Sequence, residues 1–146
     1  MNARRSCGDT SSMDSNPPEN VRKPVPGRRV RSARLTEILG AIEHQSHDPS
    51  LSAITVAQRL GVTSRYVHLL MQDTGRSFAG HVLLKRLAMA ATMLRDPSSQ
   101  ARKIAEIAQR AGFTDVSYFS RAFRQRYGMT PTELRHRAMR EAAQRG

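Results

Sequence analysis

The feature that most constrains this chain is that it repeats itself. "VAQRLGVTSRYVHLLMQDTG" (56–75) and "IAQRAGFTDVSYFSRAFRQRYG" (107–128) follow one pattern. Ala57-Gln58-Arg59 aligns with Ala108-Gln109-Arg110, Gly61 with Gly112 and Thr63 with Thr114. Tyr66 pairs with Tyr118, Met71 with Phe123 and Gly75 with Gly128 once a two-residue insertion is allowed. Each shared residue has a physical task. A small alanine lets a following helix cross closely. A glycine accepts the positive φ of a sharp interhelical turn. A threonine then accepts from the free N–H groups that open the second helix. This is the helix-turn-helix pattern, whose second helix lies in the DNA major groove. A single copy fits any αα-hairpin; two in register predict a tandem.

The flanking pattern is helical throughout. Leu35, Ile38, Leu39 and Ile42 mark one buried face, and Asp48-Pro49 closes that helix. Ser52 is placed to cap a short helix carrying Val56, Ala57 and Leu60. Thr63 is placed to cap the next, with Tyr66, Val67, Leu70 and Met71 inward. A longer helix is expected from about Ser77 to Arg95, with Phe78, Val82, Leu83, Leu87, Ala90 and Leu94 inward, and "DPSSQ" (96–100) as a loop. Ile104, Ile107, Ala108 and Ala111 predict another short helix, and Val116, Phe119, Ala122 and Phe123 the stripe of its partner. "TPTE" opens the last helix: Thr130 as N-cap, Pro131 in the first helical position, Glu133 completing a capping box. No segment reads as a strand. The expected architecture is all-α, with two helix-turn-helix subdomains (about 52–74 and 103–127) joined by a long linker helix (about 77–95) and a final helix from 131. At ~1.5 Å rise per residue that linker approaches the ~34 Å between successive major-groove faces.

Charge points to the partner. The chain of 146 residues carries a net charge of +12, which favours a polyanion. Residues 1–31 lack periodicity and are rich in Ser, Pro and Arg, which predicts a disordered head; residues 138–146 read as a tail. Arg28, Arg29 and Arg31 lie along phosphates or, more simply, in solvent. The single cysteine, Cys7, excludes an internal disulfide, and no apolar run has the length of a signal or membrane segment. A cytoplasmic, nucleoid-associated protein is therefore expected.

At "IAEIAQRAGFTDVSYFSRAFRQRYGMTPTELR" (104–135) the chain resembles the DNA-binding domain of the AraC/XylS family of bacterial transcription regulators. "LGVTSRYVHLLMQDTGRSF" with "RLAMAATMLRD" is similar to that domain's first half, so the likeness covers about 33–137. It implies seven helices, in two homeodomain-like helix-turn-helix units around one linker helix. It also implies base reading by Ser64, Arg65, His68 and Leu69 in the first reader and by Ser117, Tyr118 and Arg121 in the second. The periodicity independently turns these side chains outward, and a guanidinium such as that of Arg121 bonds both major-groove acceptors of a guanine. Thr63, Thr114, Lys103, Arg124 and Gln125 are candidate phosphate contacts; Ser64 and Ser117, near helix starts, suit phosphates as well. Leu69 stands where the family often has arginine and Met71 where it usually has phenylalanine. A leucine meets a thymine methyl but forms no hydrogen bond, so the resemblance implies a weaker first reader. Met89 and Met93, one turn apart on the linker, replace residues that tend to be charged. They are a candidate docking face for another subunit, RNA polymerase or a further domain, or else a wider core. Many family members carry an effector domain ahead of this one. Only the head precedes it here, which leaves a stand-alone regulator or a remnant of a longer protein.

Two rival classes remain. An enzyme would need chemistry that the sequence lacks: there is no P-loop and no dinucleotide fingerprint. His44 and His47 followed by Asp48 resemble a metal site but fit a helix end as well. An interaction module that has lost DNA reading is the second rival, and Leu69 and the linker methionines favour it. RNA binding lacks an exposed aromatic platform. The sequence therefore predicts a double-stranded-DNA-binding regulator with no cofactor.

Overall fold

The computed structural model describes residues 26–146. Residues 35–146 form one compact unit, to which the described residues 26–34 do not belong. Among the described residues there are seven α-helices and no strand. They are α1 (Pro26–Gln45), α2 (Ala53–Leu60), α3 (Ser64–Met71), α4 (Phe78–Arg95), α5 (Ile104–Arg110), α6 (Val116–Tyr127) and α7 (Pro131–Arg145).

Three boundaries differ from expectation. Helix α1 already includes residues 26–31, within the stretch read as head. The remainder of the predicted head lies outside the described residues. At the other end, 138–145 continue α7 instead of forming a tail, helped by the i,i+4 pair Arg137–Glu141 at 3.4 Å. The loop "DPSSQ" is partly a 3-10 turn over Pro97–Ser99. Asp96 caps it through Ser98 N, and Ser99 is buried.

The helices bury two separate apolar clusters. In the first, Ile38 and Ile42 of α1 meet Ala53, Val56 and Ala57 of α2, Val67, Leu70 and Met71 of α3, and Phe78 and Val82 from the start of α4. In the second, Leu87, Ala90, Ala91 and Leu94 from the rest of α4 meet Ile107, Ala108 and Ala111, Phe113, Phe119, Phe123 and Leu134. The rings of Phe113, Phe119, Phe123 and Tyr127 run through it with successive centroids 4.9, 5.6 and 4.6 Å apart. Each fully buried ring or large aliphatic side chain contributes about 1.5–3 kcal/mol. Helix α4 is thus a shared rod, giving its first turns to one subdomain and its last turns to the other. Its 18 residues span about 27 Å.

Met89 and Met93 are only partly exposed and pack against the second cluster. Part of their apolar flank packs inside the fold and part faces outward. Met71, in place of the phenylalanine of the second repeat, is buried to 1% exposure, its flexible stem filling the space a ring takes in α6.

Candidate nucleic-acid interface

Both turns of the repeat fold as the sequence predicts. Gly61 adopts φ +70 and Gly112 φ +102, the left-handed region that a Cβ disfavours. After Gly61, the Thr63 hydroxyl accepts from Tyr66 N at 3.1 Å and opens α3. After Gly112 the cap is different. Asp115, not Thr114, holds the start of α6, its Oδ1 accepting from Ser117 N at 2.9 Å and Tyr118 N at 3.2 Å. A carboxylate reaches two N–H groups at once and lies one residue nearer the helix, so it displaces the threonine. This corrects the expected cap and changes the electrostatics. Two N–H groups at the mouth of α6 are spent on a negative group, which disfavours a phosphate there. Only the hydroxyls of Thr114 and Ser117, both exposed, remain for phosphate contact at this end.

The predicted readers share one orientation with respect to the cores. On α3, Val67, Leu70 and Met71 are buried, whereas Arg65, His68 and Leu69 are exposed and Ser64 is half-buried. On α6, Phe119 and Phe123 are buried, whereas Ser117, Tyr118, Arg121, Arg124 and Gln125 are exposed. Leu69 and Tyr118 are large side chains exposed to 44% and 45%. Tyr118 also leans on the turn, its ring centroid 6.3 Å from that of Phe113. Lys103 is exposed at the start of α5 and makes no side-chain cap there.

The cations sort into two groups. Several are committed: Arg59 to Gln45 Oε1 at 2.8 Å, Lys85 to Glu43 at 2.6 Å, Arg102 and Arg110 both to Glu106, and Arg86 to two backbone carbonyls. Burial pulls the Arg86 pKa below its ordinary value, with Asp48 opposing. By contrast, Arg65 and Arg121 make no hydrogen bond or ion pair with the described residues. An uncommitted guanidinium on an exposed helix face keeps all five donors for a partner. Arg76 is a similar cation that the sequence reading missed. It is exposed beside Gly75 and shares a shallow groove with His68, Gln72 and Ser77. Its signal was its place between the first reader and the linker.

A cleft of about 320 Å³ separates the two readers. His68 of α3 and Tyr118 of α6 both line it, above Val82, Leu83 and Arg86 of α4. Side chains of α3 and α6 therefore open onto one cleft beside α4. The histidines weighed as a metal site are both exposed at the end of α1 and in the following loop. No group of three possible ligands surrounds them or any other place among the described residues. Among these residues, no helix is long and apolar enough to cross a membrane.

The comparisons with known proteins agree with this geometry. A family model for helix-turn-helix domains matches residues 56–137. The "Transcriptional activator RhrA" of Rhizobium meliloti is 33% identical over 114 residues, covering 78% of this chain and 36% of that protein. The "HTH-type transcriptional activator RhaR" of Mannheimia succiniciproducens is 37% identical over 109 residues, covering 75% and 38%. This chain thus spans little more than a third of the length of these relatives. Among solved structures, the C-terminal domain of AraT, a response regulator from Geobacillus stearothermophilus, superposes with a TM-score of 0.64 at 29% identity, covering 70% of this chain and 84% of that one.

Proposed function

This chain belongs to the AraC-type helix-turn-helix family of transcription regulators, and on that premise we propose that it regulates transcription by gripping double-stranded DNA with α3 and α6 in adjacent turns of the major groove. The observation that carries this reading is the pair of uncommitted guanidiniums, Arg65 and Arg121, on the outward faces of two capped second helices. Arg121 reads a guanine through two parallel bonds, and Arg65 has the same chemistry. Ser64, His68, Ser117 and Tyr118 border the bases, and Leu69 meets a thymine methyl. Thr63, Thr114, Lys103, Arg124, Gln125 and Arg76 hold the phosphate backbone and fix the register. The reaction-free character of such a grip matches a family of regulators in place of an enzyme. A cytoplasmic protein on the nucleoid follows from the partner.

The test is selection of binding sites from random duplex DNA, with the Arg121→Ala protein in parallel. The expected wild-type result is a bipartite site with two half-sites about one helical turn apart. The variant keeps the site but loses preference at one or two base pairs within one half. Selection of no common sequence by the wild type would end the reading and favour an adaptor built around the exposed Leu69.

A further inference from the structure

Arg86 lies midway along α4, between the buried residues that serve the first core and those that serve the second. Its side chain leaves the helix toward the α1–α2 connection. There Nε donates to the Ser46 carbonyl at 2.7 Å and Nη2 to the Asp48 carbonyl at 2.9 Å. Gly112, the turn of the second helix-turn-helix, presses on the same place. A Cβ at Gly112 would meet the Ser46 carbonyl oxygen at 2.5 Å, Arg86 Nε at 2.8 Å and the His47 carbonyl oxygen at 3.1 Å. Its counterpart Gly61 has nothing within 4 Å. Both glycines serve a positive φ, but only Gly112 also permits a close approach.

The gripped backbone is itself held in place. Ser46 is buried and its hydroxyl donates to the Ile42 carbonyl. The Asp48 carboxylate accepts from Ser50 N at 2.9 Å and Ser50 Oγ at 2.8 Å, while the Asp48 carbonyl also accepts from Leu51 N at 3.1 Å. A loop of the first subdomain, the middle of the linker and the turn of the second subdomain therefore meet at one point. The two apolar clusters share no residue, so this polar contact does what a common core would otherwise do.

We propose that Arg86 and Gly112 form a latch that fixes α6 relative to α3, and thereby sets the base-pair separation of the two half-sites that this protein accepts. The inference rests on the DNA-reading proposal above. Arg86 is a positioning residue in it, acting through the loop and the turn. One base pair advances the duplex by about 3.4 Å and turns it by about 34°. A loosened joint therefore appears as tolerance of spacing, with the base preferences inside each half-site intact. The fork of a guanidinium spans two carbonyls, which a single ammonium cannot match.

The experiment uses Arg86→Gln, Arg86→Lys and Gly112→Ala beside the wild type. Sites are first selected from random duplex DNA, then affinities are measured on duplexes whose half-sites are moved apart or together by one and two base pairs. The wild type is expected to lose about tenfold or more for the first base pair of displacement, because the second half-site then binds with a lowered effective concentration. Arg86→Gln should select the same bases, bind the optimal duplex about tenfold more weakly, and discriminate displaced duplexes by less than about threefold. Arg86→Lys should lie between the two. If Gly112→Ala does not fold, the Arg86 variants carry the test alone, since they remove no buried apolar group. Wild-type spacing preference in Arg86→Gln would overturn the proposal, and so would loss of base preference inside one half-site, which would assign Arg86 to the folding of a reader. A wild type that selects no bipartite site would instead sink the DNA-reading proposal on which this one stands.

Discussion

At the start of α6, Asp115 and Arg121 would act in opposite senses on the duplex proposed as the partner. Asp115 closes the helix start but repels phosphate, whereas Arg121 is free to bond a base. Arg121→Ala should cost about 1–3 kcal/mol at one or two base pairs and leave other positions unchanged. Asp115→Asn should do the reverse. Asparagine caps as well as aspartate does, so stability should hold within about 0.5 kcal/mol, while DNA affinity rises for all sequences together. Asp115→Ala should lose about 1 kcal/mol of folding stability. Denaturant unfolding and titration with duplexes of varied sequence check all three. The exposure of Arg121 was legible in the sequence because a helical stripe leaves it opposite Phe119 and Phe123. It hid Asp115 because Thr114 and Asp115 are both good caps, and alignment with Thr63 favoured the wrong one.

The elements were legible where an apolar stripe or a cap marked them. Thr130, Pro131 and Glu133 form the capping box read from "TPTE", with Glu133 N donating to Thr130 Oγ1 at 3.1 Å and Thr130 N to Glu133 Oε1 at 2.8 Å. The beginning of α1 and the end of α7 were not legible, since neither carries an apolar face to announce it. Nor was the asymmetry between the two turns, because a close approach between distant segments leaves no local mark. That asymmetry has a measurable form. Gly61→Ala should lose about 1–2 kcal/mol, the cost of a Cβ in the left-handed region. Gly112→Ala should lose more, because the added methyl also displaces Ser46, His47 and Arg86. Equal losses in denaturant unfolding would show that the seat at Gly112 yields freely.

For the whole molecule, charge governs both binding and stability. A grip making about six phosphate contacts should lose affinity with a log–log salt slope near −5; an adaptor would show neither the slope nor a preferred sequence. Stability should depend on pH in two stages. Four exposed carboxyls sit below their ordinary values in the fold: Glu43 through its hydrogen bond with Lys85, Asp48 and Asp96 through backbone N–H groups of Ser50 and Ser98, and Glu133 through that of Thr130. His81 is also lowered, chiefly by burial and then by Arg76. As pH falls below about 6.5, the unfolded chain takes a proton that folded His81 declines, so stability begins to ease. Below about 4.5 the unfolded carboxyls do the same, and their contribution is lost as pH falls through the folded values. Thermal melts between pH 3 and 8 should therefore be flat above neutrality, slope gently, then drop.

The division of the apolar interior into two clusters, strung on one rod, has a mechanical consequence. Stretched from its ends, such a molecule should surrender its length in two instalments, not one. Amide protons at Val67 and Leu70 should exchange on a different clock from those at Phe119 and Phe123. One half of the proposed grip would then melt and reform while the other stays folded.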